Sequence, residues 1–192
     1  RPVGISWMQD PMGAREDILT QATKLFANQG FAQTSVREIV ESAGVTKPTL
    51  YYYFGSKDGL FEVLVTERIS ADTQAFEEIL GGDEPPMERL GILSRRALER
   101  MREDPDFARL IGRCARDPTG APHLDLNVFM TAQAKSLTVF FQEGIQCGAF
   151  RPQDPLELAL AFQGLLNFRF MAALCGGPPL TDLSVQTLLS VF

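Results

Sequence analysis

The segment TKPTLYYYFGSKDGLF at residues 46–61 gathers cations, hydroxyls and rigid aromatic rings: Lys47, Thr49, Tyr51, Tyr52 and Lys57. Side chains of these types bond phosphate oxygens and base edges. Successive residues on a helix point about 100° apart, so Tyr51, Tyr52 and Tyr53 cannot all face one core. Leu50 and Phe54, four apart, are expected inward with Val45 and Ile39, leaving Tyr51 and Tyr52 towards solvent and Tyr53 nearest the flanking surface. Nothing comparable supports catalysis. The chain has one histidine, His123, placed after a proline-bearing turn where a surface or pocket-rim role is expected, and three scattered cysteines, Cys114, Cys147 and Cys175. It shows no nucleophile–base–acid set, no phosphate-cradling glycine loop and no metal-ligand spacing, so neither an enzyme, a metal site nor a cofactor is expected.

Helices must position these groups. From Arg15, apolar residues fall at Ile18, Leu19, Ala22, Leu25 and Phe26, a helical stripe that Gly30 ends. Ser35-Val-Arg-Glu38 has the spacing of a capping box, and Val36, Ile39, Val40 and Ala43 give two turns of helix stopped by Gly44. A third helix opens with Thr46 as N-cap and Pro48 in its first turn. Ser56 caps a fourth that runs to about Leu80. A short helix, a glycine-bearing turn and a second short helix make a helix-turn-helix, whose second member fits a major groove about 12 Å wide. Further helices are expected at about 86–103, 105–116, 124–147, 155–175 and 181–192, separated by Gly and Pro, with no strand. The expected fold is all-α, with about nine to ten helices.

The same residues resemble the TetR family of transcriptional regulators. The likeness rests on TKPTLYYYFGSKDGLF, on ILTQATKLFANQGF and on TSVREIVESAGV, in that family's order and spacing, and covers about residues 14–64. It implies a three-helix DNA-binding head (13–56) after a flexible N-terminal arm (1–12), and a helical-bundle ligand-binding and dimerisation body (57–192). By resemblance, Arg37 and Lys47 stand where the family reads bases, and Pro48 and Tyr51 where it meets base edges or thymine methyls. Thr46, Thr49, Tyr52, Tyr53 and Lys57 stand at phosphate-contacting positions, although Tyr53 replaces the histidine common there. The implied partners are double-stranded operator DNA, a small apolar or amphipathic effector and a second copy of the chain; the implied role is a repressor released by that effector. A helical protein-interaction module without DNA binding is the rival reading.

The body carries fewer signals. Leu98, Met101, Phe107, Leu110, Ile111, Cys114, Phe129 and Met130 suit an adaptable apolar cavity for an effector, and equally suit a plain core. Arg95, Arg96, Arg109, Arg113 and Arg116 are expected mostly solvated, with one turned inward if the ligand is anionic. GIQCGAFRPQDP at 144–155 resembles the turn between the family's last two long helices, which pair across a twofold axis. The helix from 155 is apolar on more than one side, so it needs two partners. Leu156, Leu160, Ala161, Gly164 and Met171 are the expected homodimer face, with Ala161 and Gly164 allowing close approach; a fully buried central helix would show the same composition.

Net charge is −6, yet residues 1–60 carry six basic and six acidic side chains, so the whole deficit lies in 61–192. The head is thus the less repellent part towards phosphate. The opening RPVGISWMQDPMGARED lacks the order of a secretory signal, and no apolar run approaches the roughly 18 residues of a membrane span. With an odd, dispersed cysteine set, this points to the cytoplasm and away from membranes. A first residue other than Met reads as a piece of a longer product.

Overall fold

The computed structural model describes residues 11–116, 125–177 and 181–192. These form nine helices and no strand: α1 Pro11–Gln29, α2 Val36–Ala43, α3 Lys47–Phe54, α4 Lys57–Leu80, α5 Pro86–Glu103, α6 Pro105–Arg116, α7 Leu126–Gln146, α8 Pro155–Leu174 and α9 Asp182–Leu189. The all-α expectation holds. The first helix begins at Pro11, four residues before the expected start at Arg15, so Pro11 and Met12 belong to α1; the rest of the expected arm, like His123, lies outside the described residues.

The described residues divide into two compact units. One comprises the chain through Arg68 with Arg109–Arg116; the other comprises Ile69–Ala108 and Asp125–Phe192. The division therefore falls inside α4 and α6, not at the expected boundary of 56/57. Packing explains the shift in α4: its first turns bury Leu60, Phe61 and Leu64. The Phe61 ring meets Phe26 and Phe31 edge-on, at 5.5 and 5.2 Å between centroids. A head without those turns would expose that aromatic cluster to water.

In the head, Ile18, Leu19, Ala22 and Phe26 of α1 are buried, as are Ile39 and Val40 of α2 and Leu50 and Phe54 of α3. Short helices need help at their ends, since isolated turns are marginal in water. Ser35 and Glu38 form both halves of the capping box at α2. Gly44 then takes φ 66°, a left-handed bend open to glycine at little cost, and its N–H reaches the carbonyls of Val40 and Glu41. Ser56 Oγ accepts the Gly59 N–H at 2.9 Å and starts α4. Thr46 differs from expectation. It stands at the N-cap of α3, but its hydroxyl pairs with Thr49 Oγ1 at 2.9 Å instead of a backbone amide.

In the body, one core joins Leu80, Leu90 and Leu93 to Leu137, Phe140 and Phe141 of α7, to Phe150 of the turn that follows it, to Leu158 and Phe162 of α8, and to Leu188 of α9. The α7–α8 turn has a specific cause. Phe150 folds back so that its ring would lie 2.3 Å from a β-carbon at position 144, and only glycine leaves that space.

Candidate nucleic-acid interface

The two faces of α3 separate along its length. Leu50 and Phe54 are buried, whereas Lys47, Pro48, Tyr51 and Tyr52 are exposed. Lys47 and Tyr51, like Pro48 and Tyr52, are four residues apart, so these side chains form two adjacent columns on one side of the helix. Tyr51 is 46% exposed and Tyr52 83%. Such exposure of a ring at the middle of a helix needs a reason beyond packing within the chain.

The three tyrosines form a graded stack. Phe54 is buried; the half-buried Tyr53 ring leans on it at 6.0 Å, and Tyr52 meets Tyr53 edge-on at 5.1 Å. Tyr53 thus supports the exposed ring beside it, which agrees with its expected place near the flanking surface. Thr46 is exposed and Thr49 half-buried, their hydroxyls held on each other. Arg37 projects from the exposed side of α2, the helix packed against α3, and its Nε donates to Glu41 Oε1 at 2.6 Å. That bond is the largest cause raising the Arg37 pKa. The Ser35 backbone N–H, then the Ser35 hydroxyl, hold the Glu38 carboxyl below its ordinary range.

Lys57 requires a correction. Expected at a phosphate, its ammonium is turned into the head. Nζ donates to the carbonyls of Phe31 at 2.9 Å and Thr34 at 2.8 Å, and sits 4.2 Å from the centre of the Phe31 ring. The connection between α1 and α2 leaves those carbonyls without helical partners, and a lysine from the start of α4 satisfies them. The sequence held no signal for this, because the partners lie 26 and 23 residues away.

Other expected residues scatter. Leu110, Ile111 and Cys114 group with the head, whereas Leu98, Met101, Phe107, Phe129 and Met130 belong to the body. Leu98 is buried against Val185, with Met101 packed on the pair, so both fill a small core there. Arg113, expected in solvent, donates to the last-turn carbonyls of Ala27 and Asn28 in α1. On α8, Leu156, Leu160, Ala161 and Gly164 are exposed, and a β-carbon at 164 would meet nothing within 4 Å. Met171 is half-buried. Two further residues of that face were not among those expected: Leu165, 39% exposed, and Phe168, 70% exposed. The spacing 156, 160, 164, 168 was the available signal.

Residues 18–64 match the model of the family described as bacterial regulatory proteins, tetR family. The chain is 30% identical over 149 residues to the HTH-type transcriptional regulator RutR of Escherichia coli K12, covering 75% of this chain and 68% of that one. This chain belongs to the TetR family. It is a transcriptional regulator by that membership, and its named relatives are regulators and repressors rather than enzymes. The TetR-family chain is also 26% identical over 153 residues to the HTH-type transcriptional repressor KstR2 of Mycolicibacterium smegmatis, covering 79% and 75%. Its fold is that of FadR from Bacillus subtilis, solved in complex with stearoyl-CoA (TM-score 0.73, 20% identity, covering 92% and 96%). It is also that of NalD, the secondary repressor of an efflux pump in Pseudomonas aeruginosa (TM-score 0.72, 22% identity, covering 95% and 96%). Among the described residues no helix is long and apolar enough to cross a membrane.

Proposed function

We propose that this TetR-family protein binds a palindromic operator in double-stranded DNA as a homodimer, acts as a repressor in the bacterial cytoplasm, and is released by a small apolar or amphipathic effector. The observation that carries the reading is the outward face of α3, with Lys47, Pro48, Tyr51 and Tyr52 exposed over a back anchored by Leu50 and Phe54. A helix so divided can lie in a major groove, placing a cation and two rings at base edges while its buried side fixes the depth of entry. Arg37 adds a guanidinium from α2, and the paired hydroxyls of Thr46 and Thr49 suit phosphate oxygens.

Support for a second copy comes from α8, where Leu156, Leu160, Ala161, Gly164, Leu165 and Phe168 expose an apolar strip. Support for an effector comes from relatives, since FadR of B. subtilis was solved with stearoyl-CoA. Of the residues expected to bind it, Phe107, Phe129 and Met130 lie in the body outside the small core of Leu98 and Met101, and they are the ones we propose. An effector frees DNA only if it binds the DNA-incompetent form more tightly, so the direction of response is set by that difference.

The test is a gel-shift with duplex DNA taken from beside the protein's own gene. The intact protein is expected to shift it, and Lys47→Ala and Tyr51→Ala are expected not to. A well-folded intact protein that shifts neither this DNA nor any sequence recovered from a random pool would favour the protein-interaction reading.

A further inference from the structure

The Arg37–Glu41 pair is poorly explained by stability. Both side chains are largely in water, where an ion pair four residues apart on a helix contributes little and is screened by salt. A carboxylate is also out of place on a surface meant for phosphates, because it repels them. Its geometry offers a different reason. Glu41 Oε1 accepts from Nε of Arg37, at 2.6 Å, and from neither terminal nitrogen. A guanidinium has two edges that can donate in parallel, and this bond occupies the nitrogen that belongs to the inner one. The outer edge, Nη1 with Nη2, is left for a partner. Two parallel donors at that spacing match O6 and N7 of guanine in the major groove.

We infer that Glu41 is a positioning residue for base reading: it holds Arg37 so that the outer edge of the guanidinium meets one guanine in each half of the operator. This rests on the proposal that α2 and α3 form the DNA surface. Without Glu41 the long arginine side chain would be free to turn towards phosphates, which it can bind in any sequence. Glu41 thus exchanges general affinity for discrimination. The carboxylate lowers attraction to all DNA, while a pre-oriented arginine loses less freedom when it meets the correct base.

The experiment selects binding sites from a pool of random-sequence duplexes, using the intact protein and the variants Arg37→Ala, Glu41→Ala and Glu41→Gln. Each variant's melting curve is recorded as a check of folding. The intact protein should enrich a symmetric motif with a guanine preference at one pair of positions, and Arg37→Ala should lose the preference at that pair alone. Glu41→Ala should weaken the same preference by about 3- to 10-fold, the effect of freeing one long side chain. Its affinity for unselected pool DNA should rise at the same time, most at low salt. Glu41→Gln, whose amide oxygen still accepts from Nε, should keep most of the guanine preference while sharing the rise in general affinity. The same loss of preference in Glu41→Gln and Glu41→Ala would trace the effect to charge and overturn the positioning role. Equally, an unchanged motif in Glu41→Ala or in Arg37→Ala would overturn it while leaving DNA binding through α3 intact. If the intact protein enriches no motif, both this role and the DNA-binding proposal fall.

Discussion

At the scale of single residues, the question is which side chains serve the ligand and which serve the fold. Lys47 and Tyr51 are exposed on α3, and among the described residues neither side chain makes a hydrogen bond or ion pair. Replacing either by alanine should therefore leave the melting temperature within about 2 °C while removing specific binding, since base contacts contribute about 1–3 kcal/mol of discrimination each. A variant that unfolds would reassign its side chain to structure. Lys57 should behave in the opposite way. Its ammonium joins two loop carbonyls while half-buried, so Lys57→Ala should cost about 1–2 kcal/mol of stability, and Lys57→Met should restore little of it. The slope of log affinity against log salt should stay unchanged for the folded fraction. A slope shallower by about one unit would return Lys57 to the phosphate surface.

At the scale of elements, the head depends on short helices secured at their ends. Removing the Ser35 hydroxyl breaks one half of the α2 capping box, and Ser35→Ala should destabilise by about 1 kcal/mol in chemical denaturation. The reciprocal half is titratable. Bonds from Ser35 hold the folded Glu38 pKa below its ordinary value of 4.5. Its contribution is therefore complete above that value and is lost as pH falls through the depressed, folded one. Glu38→Gln should accordingly flatten the acid side of the stability curve; an unchanged acid limb would show that the bond adds nothing. In the body, Gly144→Ala places a methyl group where the Phe150 ring already lies. Overpacking of this kind costs about 1–3 kcal/mol, and a second change, Phe150→Leu, should recover part of it.

At the scale of the whole molecule, the outer strip of α8 is an apolar surface left uncovered among the described residues. Phe168, Leu156 and Leu160 stand exposed on successive turns around the open site of Gly164. The intact protein should sediment as a dimer at micromolar concentration. Phe168→Glu should shift it to monomer, because a charge buried in an apolar contact is costly. Gly164→Trp should do the same by bulk. Both variants should keep their helicity, since neither position touches the core. Loss of dimerisation should weaken operator binding steeply, as a palindrome is read by two heads about 34–36 Å apart. A stable dimer in both variants would move the interface elsewhere.

What the sequence determined by itself is what forms within a few residues. The capping box at Ser35, the left-handed turn at Gly44 and the inward pairing of Leu50 with Phe54 depend on spacings of three or four, and the 100° step of a helix made them readable. That same step placed Tyr51 and Tyr52 outside, and with them the candidate DNA surface. Tertiary structure decided the rest wherever a partner came from far along the chain. Lys57 finds its carbonyls more than twenty residues back, and Arg113 reaches the end of α1 across 86. On α8 the composition showed two apolar sides without saying which faced inward; packing against α7 buried Leu158 and Phe162 and left Leu165 and Phe168 outside. Hydrophobic burial has no direction of its own, so which apolar side is covered is settled by the neighbours that the folded chain brings to it.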